Sequence, residues 1–500
     1  AAAEAAPPPQ PPPPLEADGG ADAALSTSQR CSWLYLSAQR GFVRSLAALS
    51  EELYSPGLLD KSKRPEAAAA RAQLRALLLE LRIPPLAYIP LTSSSHRFRR
   101  VVAVPPAEAN VFVTRERASA LLCVEVVDER RKLSSLFEAV RRDGSGRLFE
   151  GLTAAQRPSW LGILSARADA EDDGDEVLGA EPLLMPMPAP PPPELSTPRA
   201  RVAPTHSLDA LYGESWAAQC ERVRLLSEHG RRGGWGLVPL ISKTNDDVRQ
   251  ECFVMQLISF LDQALPSPLR LRPYRILATG PRSGLIEALT DTQSLHALKR
   301  NPAFSSLRAH FEAHYGGAHS AAFATAQRAF LCSLAAYSVV SYILAIKDRH
   351  NGNLMLHRDG HLVHIDFGFV LGKAPGGACS LEANVPFKLT KEMVDVLGGV
   401  DHPLFTQTFT DLCTQAFEAV RPHAEALLSL VEISAFRSSI PCFSAGSAAS
   451  QVQQMRERLL LDVPEHKLRA RVQQLISLSY NSVFTRAYDD FQMWSNGIAK

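Results

Sequence analysis

Two short polar motifs in the C-terminal half of the chain could together carry phosphoryl-transfer chemistry. The first is DRHNGN at residues 348–353, and the second is DFG at residues 366–368. Phosphoryl transfer requires oxygen ligands that hold a divalent cation on the phosphates, and a group that orients the attacking hydroxyl. Because Mg²⁺ prefers oxygen ligands and keeps several waters, one Asp and one Asn side chain suffice. We therefore expect Asn353 and Asp366 to bind the metal.

The first motif also contains the candidate groups for proton transfer. Its order is Asp-Arg-His, the reverse of the His-Arg-Asp order of protein kinases, in which the Asp is the base. His350 could accept the proton of the substrate hydroxyl or stabilise the developing charge. Asp348 could orient His350 or act as the base itself. Both assignments are open at this point, and the predicted catalytic residues are Asp348, Arg349 and His350.

A lysine that could neutralise nucleotide phosphates precedes these motifs. Lys243 ends the apolar segment 237–243, and a predicted helix that contains Glu251 follows it. A strand lysine held by a helix carboxylate can position a cation on the phosphates of ATP. Further upstream, the segment 227–230 (SEHG) could direct backbone N–H groups at phosphates. The sequence contains no GxxxxGK[ST] motif, which excludes a Walker-type site.

The hydrophobic pattern predicts an α+β fold with two lobes, a mainly β lobe followed by a larger helical lobe. Beyond residue 291 the pattern is mainly helical, except for a β-hairpin that would bring Asn353 and Asp366 to one end. Pro239 interrupts a predicted strand and favours an edge strand or a bulge. Helices are predicted at 28–54, 65–82 and 248–265, and strands at 101–104, 111–113, 121–127, 237–243, 274–278, 285–289, 354–356 and 362–365.

Composition divides the chain into six segments. The first segment, 1–27, is rich in Pro and Ala, and the fourth, 140–207, is rich in acidic residues and Pro. Neither segment is therefore expected to bury a core. For the fourth, a spacer is favoured over a regulatory docking site. The predicted segments are a disordered tail at 1–27, a partial helical region at 28–84, the start of the β lobe at 85–139, a disordered insert at 140–207, the rest of the β lobe at 208–290 and the helical lobe at 291–500.

The bulk composition argues against several classes of protein. With a formal net charge of +1, the chain has no overall attraction for nucleic acid, and we expect no nucleic-acid partner. Its 8 Cys residues form no CxxC pair, which argues against zinc and for a reducing, cytosolic setting. The nearly uncharged segment Phe330–Ile346 is short for a membrane span and is predicted to be a buried core helix. Because the chain begins with Ala, we expect a piece of a longer protein. Because it has no signal-peptide pattern, we expect no signal peptide.

These motifs resemble those of the phosphatidylinositol 3-/4-kinase superfamily. The segment 348–353 is similar to its catalytic loop, 364–369 (HIDFGF) to its metal-binding motif, and 243–251 (KTNDDVRQE) to the block around its ATP lysine. Asn245 replaces a Gly of the family, but Asn also tolerates the left-handed conformation. The resemblance is greatest to the type III beta phosphatidylinositol 4-kinases, through segments 111–126, 347–369, 387–390, 394–399, 440–443 and 488–498.

The resemblance implies an enzyme that uses ATP and Mg²⁺, or Mn²⁺, to phosphorylate phosphatidylinositol at the inositol 4-hydroxyl. It implies a cytoplasmic protein bound peripherally to Golgi or trans-Golgi membranes and recruited by a small GTPase or an adaptor. One alternative is a protein Ser/Thr kinase of the phosphatidylinositol-3-kinase-related type, although the residues after His350 differ there from Asn351 and Gly352. The other is a catalytically dead scaffold, which the occupied motif positions disfavour.

The resemblance also assigns roles in binding ATP. Lys243 would contact the ATP phosphates, and Glu251 would orient Lys243. Ser227 and Gly230 would bound the phosphate loop. The hinge beside the adenine would consist of Glu287, Ala288 and Leu289.

Two further segments bear on the substrate. The expected activation loop, 370–390, contains only Lys373 and Lys388 as cations, opposed by Glu382. A polyphosphorylated headgroup would call for a denser basic cluster, so unphosphorylated phosphatidylinositol fits better. Near the C-terminus, aromatic and apolar residues including Trp494 could contact the bilayer interface, or could equally pack on the helical lobe.

Overall fold

The computed structural model of the chain describes residues 27–53, 67–91, 97–113, 118–132, 208–377, 380–444 and 448–500. The predicted disordered tail, apart from Thr27, and the predicted insert at 140–207 lie outside these residues. The helices are α1 (Thr27–Glu52), α2 (Ala67–Glu80), α3 (Leu208–Tyr212), α4 (Trp216–Leu226), α5 (Arg249–Ala264), α6 (Leu295–Lys299), α7 (Leu307–His314), α8 (Ala321–Ile343), α9 (Lys391–Val396), α10 (Thr410–Val420), α11 (Ala424–Ala435), α12 (Ala448–Arg458), α13 (Glu465–Ser479) and α14 (Val483–Asn496).

The strands are β1 (Arg97–Ala103), β2 (Asn110–Val113), β3 (Ala118–Lys132), β4 (Trp235–Thr244), β5 (Ile276–Gly280), β6 (Ser283–Glu287), β7 (Thr292–Ser294), β8 (Leu354–His357) and β9 (Leu362–His364). The predicted helices and strands are thus present with ends shifted by a few residues, and β7 is an addition. These elements confirm the α+β class.

The chain divides into two units, one of Ala1–Ser45, Leu81–Ala103 and Val126–Leu195, and one of Leu46–Glu80, Val104–Glu125 and Ser196–Lys500. In the first unit, the Tyr35 hydroxyl of α1 donates a hydrogen bond to the carbonyl of Leu86 at 3.1 Å. All the predicted site residues belong to the second unit.

An antiparallel sheet of the second unit carries the lysine motif. The strand order is β3-β4-β6-β5, with β2 paired to β3. β4 is therefore an interior strand, so of the two alternatives predicted from Pro239, an edge strand or a bulge, the edge strand is wrong. The ladder between β4 and β6 begins only at Leu240, opposite Glu287, so the missing N–H of Pro239 interrupts none of its hydrogen bonds. At the other end, Lys243 lies opposite Gly284.

The predicted hairpin is present as β8 and β9, in a second sheet of order β7-β8-β9. Leu354 pairs with His364 and Leu356 with Leu362, so both strands return to the same end. Just beyond that end, the N–H of Ile365 donates to the carbonyl of Asn353 at 3.1 Å. The two motifs are therefore neighbours in space because of the hairpin register.

Helix α8 lies in the hydrophobic core of the second unit. Phe330, Leu334, Tyr337 and Val340 are each at most 1% exposed and belong to one cluster with residues of β8 and β9. The prediction of a buried core helix at Phe330–Ile346 is confirmed. Among the residues that the structure describes, no helix has both the length and the apolar character that crossing a bilayer requires.

Candidate active site

A cavity of about 460 Å³ contains most of the predicted nucleotide and metal residues. Strands β2, β3, β4 and β6 contribute to its lining, as do β7, β8 and the residues that follow β9. The predicted residues that line it are Lys243, Glu251, Glu287, Ala288, Leu289, Asn353 and Asp366. The fold thus brings distant stretches of the sequence around one concave space.

Hydrogen bonds hold the predicted hinge at this cavity. The N–H of Glu287 donates to the carbonyl of Arg275 at 2.8 Å, and the N–H of Ala288 donates to the carbonyl of Pro239 at 3.1 Å. The Glu287 carboxylate also accepts from Nε of Arg275 at 2.9 Å. The N–H of Leu289 makes no hydrogen bond to any residue that the structure describes. It is therefore available to an acceptor such as a ring nitrogen.

Lys243 lies among carboxylates. Its Nζ is 2.9 Å from Oδ2 of Asp246 and 4.0 Å from Oε2 of Glu251. Burial disfavours the charged amine, but Glu251, Asp246 and Asp366 outweigh it and raise the pKa of Lys243 above its usual value. The Tyr274 hydroxyl donates a hydrogen bond to the Glu251 carboxylate. Lys243 is therefore a fixed cation at neutral pH, as phosphate binding requires.

Left-handed backbone is present at the turn after β4, where the family has a Gly. Asn245 adopts φ 57°, which confirms that Asn can replace Gly at this position. Its side-chain Oδ1 accepts a hydrogen bond from Nη2 of Arg282 at 2.7 Å. The turn that follows Lys243 therefore survives the substitution.

The predicted phosphate loop lies elsewhere. Ser227 donates a hydrogen bond to the carboxylate of Glu125, which also accepts from Nε1 of Trp235 at 2.8 Å. Trp235 begins β4 and Lys243 lies near its end, roughly 26 Å away at the rise of an extended strand. A Cβ on Gly230 would overlap the backbone of α4, so packing explains this glycine. Contrary to the prediction, Ser227 and Gly230 cannot contact the same phosphates as Lys243.

Two cavity residues on β2 and β3 are not among those predicted from the sequence. Phe112 of β2 and Leu121 of β3 both line it, and the two strands pair in an antiparallel ladder in which Phe112 lies opposite Ser119. The only hint in the sequence is the aromatic residue Phe112 on a short predicted strand. In the structure its side chain remains 47% exposed. Apolar side chains at this position could cover a flat ring.

The predicted metal ligands both line the cavity and have oxygens to offer. Nδ2 of Asn353 donates to the carbonyl of Asp348 at 2.9 Å, so its Oδ1 is the atom left for a ligand. Asp366 adopts φ 60°, and its Oδ1 accepts only a long hydrogen bond of 3.4 Å from the N–H of Gly368. One carboxylate and one amide oxygen match the donor atoms that Mg²⁺ takes from proteins. The residues present therefore fit a divalent cation.

Asp348 and His350 face each other at the catalytic motif. Nε2 of His350 lies 3.8 Å from Oδ1 of Asp348, while the N–H of Gly352 donates to Nδ1 of His350 at 3.1 Å. Because Nδ1 accepts that bond, the neutral ring carries its proton on Nε2 in this orientation. A Cβ on Gly352 would lie 2.9 Å from Cε1 of His350, so any larger residue would displace the ring.

Burial shifts the pKa values of these two groups in opposite directions. It raises the pKa of Asp348 to about 6, although a hydrogen bond from Tyr488 opposes the shift. It lowers the pKa of His350 to about 4, with Arg349 adding to the effect. At neutral pH the pair therefore consists of an ionised carboxylate and an uncharged imidazole.

Arg349 has a supporting position and is not a candidate for contact with substrate. It is 1% exposed, and its guanidinium donates to the carbonyls of Lys347 at 3.0 Å, Ile365 at 2.7 Å and Asp366. It also lies over the ring of Phe367, at 5.2 Å. The catalytic role predicted for Arg349 is therefore corrected to one of joining the two motifs through their backbones.

Helix α14 contacts the catalytic motif directly. The hydroxyl of Tyr488 donates to Oδ1 of Asp348, and Nε2 of Gln492 donates to the Tyr488 oxygen at 2.6 Å. Oδ2 of Asp348 makes no hydrogen bond within the described part of the chain and is thus free for substrate. From the sequence, this segment is predicted to contact the bilayer interface or to pack on the helical lobe, and no contact with Asp348 is predicted.

Two residues of the expected activation loop are structural. Nζ of Lys388 lies 2.7 Å from Oδ1 of Asp489, with the Lys388 side chain only 2% exposed, and 3.3 Å from Oδ1 of Asn351. Glu382 is 5% exposed and accepts from the N–H of Asp348 at 2.7 Å. The prediction that Lys388 and Glu382 face a headgroup is therefore wrong, because each is buried against the catalytic segment.

The chain is similar in sequence to a known family of kinases and to several of its named members. Residues 237–445 match the family model described as phosphatidylinositol 3- and 4-kinase. A phosphatidylinositol 4-kinase of Dictyostelium discoideum is 44% identical over 291 residues, which cover 57% of this chain and 24% of the relative. Phosphatidylinositol 4-kinase beta 1 of Arabidopsis thaliana is 43% identical over 309 residues, 60% of this chain and 27% of the relative.

A third relative extends further along the chain. Phosphatidylinositol 4-kinase beta of Xenopus tropicalis is 30% identical over 516 aligned residues, 93% of this chain and 61% of the relative. The chain spans only about a quarter of the length of the first two relatives. The matched family segment contains Lys243, Asp348 and Asp366. Through residues 237–445, this chain is similar to the phosphatidylinositol 3- and 4-kinase family.

Proposed function

We propose that this protein transfers the γ-phosphoryl group of ATP to the inositol 4-hydroxyl of phosphatidylinositol. The observation that carries the proposal is a single cavity lined by a fixed lysine, a hinge with a free N–H and two oxygen ligands, from Lys243, Leu289, Asn353 and Asp366. The choice of lipid and of the 4-hydroxyl is supported by the similarity to proteins named phosphatidylinositol 4-kinase.

ATP would occupy the cavity with its adenine beside the hinge. The N–H of Leu289 would donate to the ring, and Phe112 and Leu121 would cover one face of it. Lys243 would bind the phosphates in competition with Asp246, which its amine contacts in this structure. Asn353 and Asp366 would hold a divalent cation, for which we propose Mg²⁺ with Mn²⁺ as a substitute. When bound, the cation supplies neutralisation of the charge on the transferring phosphate.

Asp348 is the proposed base. Its Oδ1 is occupied by Tyr488, whereas Oδ2 has no partner among the described residues and could accept the proton of the inositol hydroxyl. As that proton moves to Asp348, the hydroxyl oxygen forms a bond to the γ-phosphorus and the bond from this phosphorus to the ADP oxygen breaks. A pKa of about 6 keeps Asp348 ionised at neutral pH yet basic enough to hold the proton.

His350 is proposed as a hydrogen-bond donor. Its Nδ1 is occupied by the N–H of Gly352, so the proton of the neutral ring is on Nε2 and no lone pair is left there for a base. Nε2–H could donate to Asp348, or to an oxygen of the transferring phosphate as charge develops. These roles divide the two tasks that the sequence left open between Asp348 and His350.

The burial of Lys388 leaves the expected activation loop with still less positive charge for a headgroup. With Lys388 paired to Asp489, Lys373 is the cation left in the expected activation loop within the described residues, and its amine lies 5.6 Å from the ring of Phe369. Such a lightly charged loop suits a headgroup without extra phosphates. Peripheral binding to Golgi or trans-Golgi membranes, recruitment by a small GTPase or adaptor, and a cytoplasmic location are further parts of the proposal.

In the decisive experiment, the chain is incubated with radiolabelled ATP, Mg²⁺ and vesicles that contain phosphatidylinositol. The positional isomers of the labelled lipid product are then separated. We expect phosphatidylinositol 4-phosphate, lost in Lys243→Met. A 3-phosphate product would overturn the regiochemistry. Labelling of a protein substrate without lipid labelling would favour a protein kinase, and failure to bind Mg-ATP would favour a scaffold.

A further inference from the structure

A second cavity of about 540 Å³ is lined by three cationic side chains, those of Lys347, Arg458 and Arg471. The remaining lining comes from the end of α8, from residues within 372–377 and 383–386, and from α12 and α13. No carboxylate side chain is among the described residues that line it. It shares no lining residue with the ATP cavity.

Arg458 is a partly buried cation with one donor atom, Nη2, that is not used. Its Nε donates to the carbonyl of Ile343 at 2.9 Å, but its Nη2 is buried and has no hydrogen-bond partner. Burial lowers the pKa of Arg458 to about 10, which Tyr342 and Glu457 only partly offset. A buried guanidinium donor without a partner is unfavourable, because desolvation is not repaid by a hydrogen bond. A ligand that accepts a hydrogen bond from the Arg458 guanidinium would offset this desolvation cost.

Lys347 also lines this cavity, and like Arg458 it is a cation without a carboxylate partner in the lining. Its Nζ donates to the carbonyl of Val385 at 2.6 Å and forms no ion pair within the described part of the chain. Burial lowers the pKa of Lys347 to about 8, although Glu382 opposes the shift and Arg458 adds to it. Arg471 adds a third cation, and its Nη1 donates to Oε1 of Gln474 at 3.0 Å. Three cations without a carboxylate in the lining favour an anionic occupant.

We propose that this cavity binds a terminal phosphate group, either of free phosphate or of a phosphate monoester. A guanidinium presents several N–H donors in a plane that matches phosphate oxygens, and a monoester carries nearly two negative charges at neutral pH. The ligand could be a free phosphate or the phosphorylated headgroup of an inositol lipid, since both present the same group. This site is separate from the ATP cavity, where the phosphates of ATP would bind at Lys243. Because residues of the expected activation loop line it, binding of a lipid headgroup there would deepen the proposed function and rests on it.

Binding of inorganic phosphate tests the site in the full chain, measured by calorimetry against sodium chloride of matched ionic strength. Lys243→Met serves as the background, so that binding in the ATP cavity is suppressed. On this background, Arg458→Met should weaken binding about tenfold or more, the loss expected for a charge-assisted hydrogen bond. Arg471→Gln should weaken it less. Arg469→Gln is the matched control, because Arg469 lies on the same helix and pairs with Asp411 at 2.7 Å.

A second arm distinguishes the two sources of phosphate. The same variants are sedimented with phosphatidylcholine vesicles that contain phosphatidylinositol 4-phosphate. Dependence on Arg458 with inorganic phosphate supports a free phosphate, and dependence with vesicles alone supports the lipid headgroup. Binding that is equal in Arg458→Met, Arg471→Gln and Arg469→Gln in both arms overturns the proposal. If Arg458→Met fails to fold, as near-ultraviolet circular dichroism would reveal, Arg471→Gln against Arg469→Gln decides.

Discussion

The hydroxyl of Tyr488, on the last helix, donates a hydrogen bond to Oδ1 of Asp348 in the catalytic motif. The two residues are 140 positions apart in the chain. Gln492, one turn further along α14, donates to the same hydroxyl oxygen at 2.6 Å and so orients its proton towards Asp348. Helix α14 thereby stabilises the ionised form of the proposed base.

Removing that hydroxyl should shift the pH dependence of the reaction. Below about pH 6 Asp348 is protonated, so kcat/KM should rise through that value as the carboxylate ionises. Because the Tyr488 hydrogen bond lowers the pKa of Asp348, Tyr488→Phe should raise this pKa and move the acidic limb upward by about one pH unit. The measurement is kcat/KM from pH 5 to pH 8. Tyr480→Phe, which loses a hydroxyl away from Asp348, should leave the limb unchanged; an unshifted limb in Tyr488→Phe would contradict the coupling.

The two candidate bases can be separated by matched amide substitutions. Asp348→Asn should lower kcat by roughly 10²-fold or more and abolish the limb near pH 6, because the amide cannot take a proton. His350→Gln should lower kcat less, about tenfold, because Gln keeps an N–H donor, and should retain the limb. A greater loss in His350→Gln, together with a limb that persists in Asp348→Asn, would return the role of base to His350.

The buried pair of Lys388 and Asp489 should be structural. Lys388→Met leaves the Asp489 carboxylate unpaired and should lower the free energy of unfolding by about 3–5 kcal/mol. The double variant Lys388→Met/Asp489→Leu removes both charges and should recover much of the loss. Urea unfolding followed by circular dichroism measures both effects. A normally stable Lys388→Met protein with a raised KM for lipid would instead restore the headgroup role of Lys388.

The exposed apolar side chains of α14 should contribute to membrane binding. Trp494 is 85% exposed and Met493 is 55% exposed, so packing on the helical lobe, the alternative considered from the sequence, does not bury them. Trp494→Ala should reduce co-sedimentation with phosphatidylinositol vesicles several-fold, because an interfacial aromatic is lost. Phe436→Ala is the control, since Phe436 is 76% exposed after α11 and is equally apolar. Equal binding of wild-type protein and Trp494→Ala would remove α14 as a membrane contact.

Local patterns in the sequence determined the fold class, the positions of most elements and the pairing of Asn353 with Asp366. These features depend on neighbours in the chain, because side-chain periodicity sets the type of an element and a short turn sets the register of a hairpin. The buried helix α8 was predictable for the same reason, since a run of apolar residues with few charges must be covered.

Only the tertiary structure decided the surroundings of individual charged and polar side chains. Lys388 looks like a loop cation in the sequence, but Asp489, 101 residues away, buries it as an ion pair. Ser227 and Gly230 have the composition of a phosphate loop, but β4 separates them from Lys243 by its whole length. The contact of Tyr488 with Asp348 has no local signal at all. Whether a polar group is buried, paired or free depends on which distant elements pack against it, and those partners are set by the packing of the whole unit.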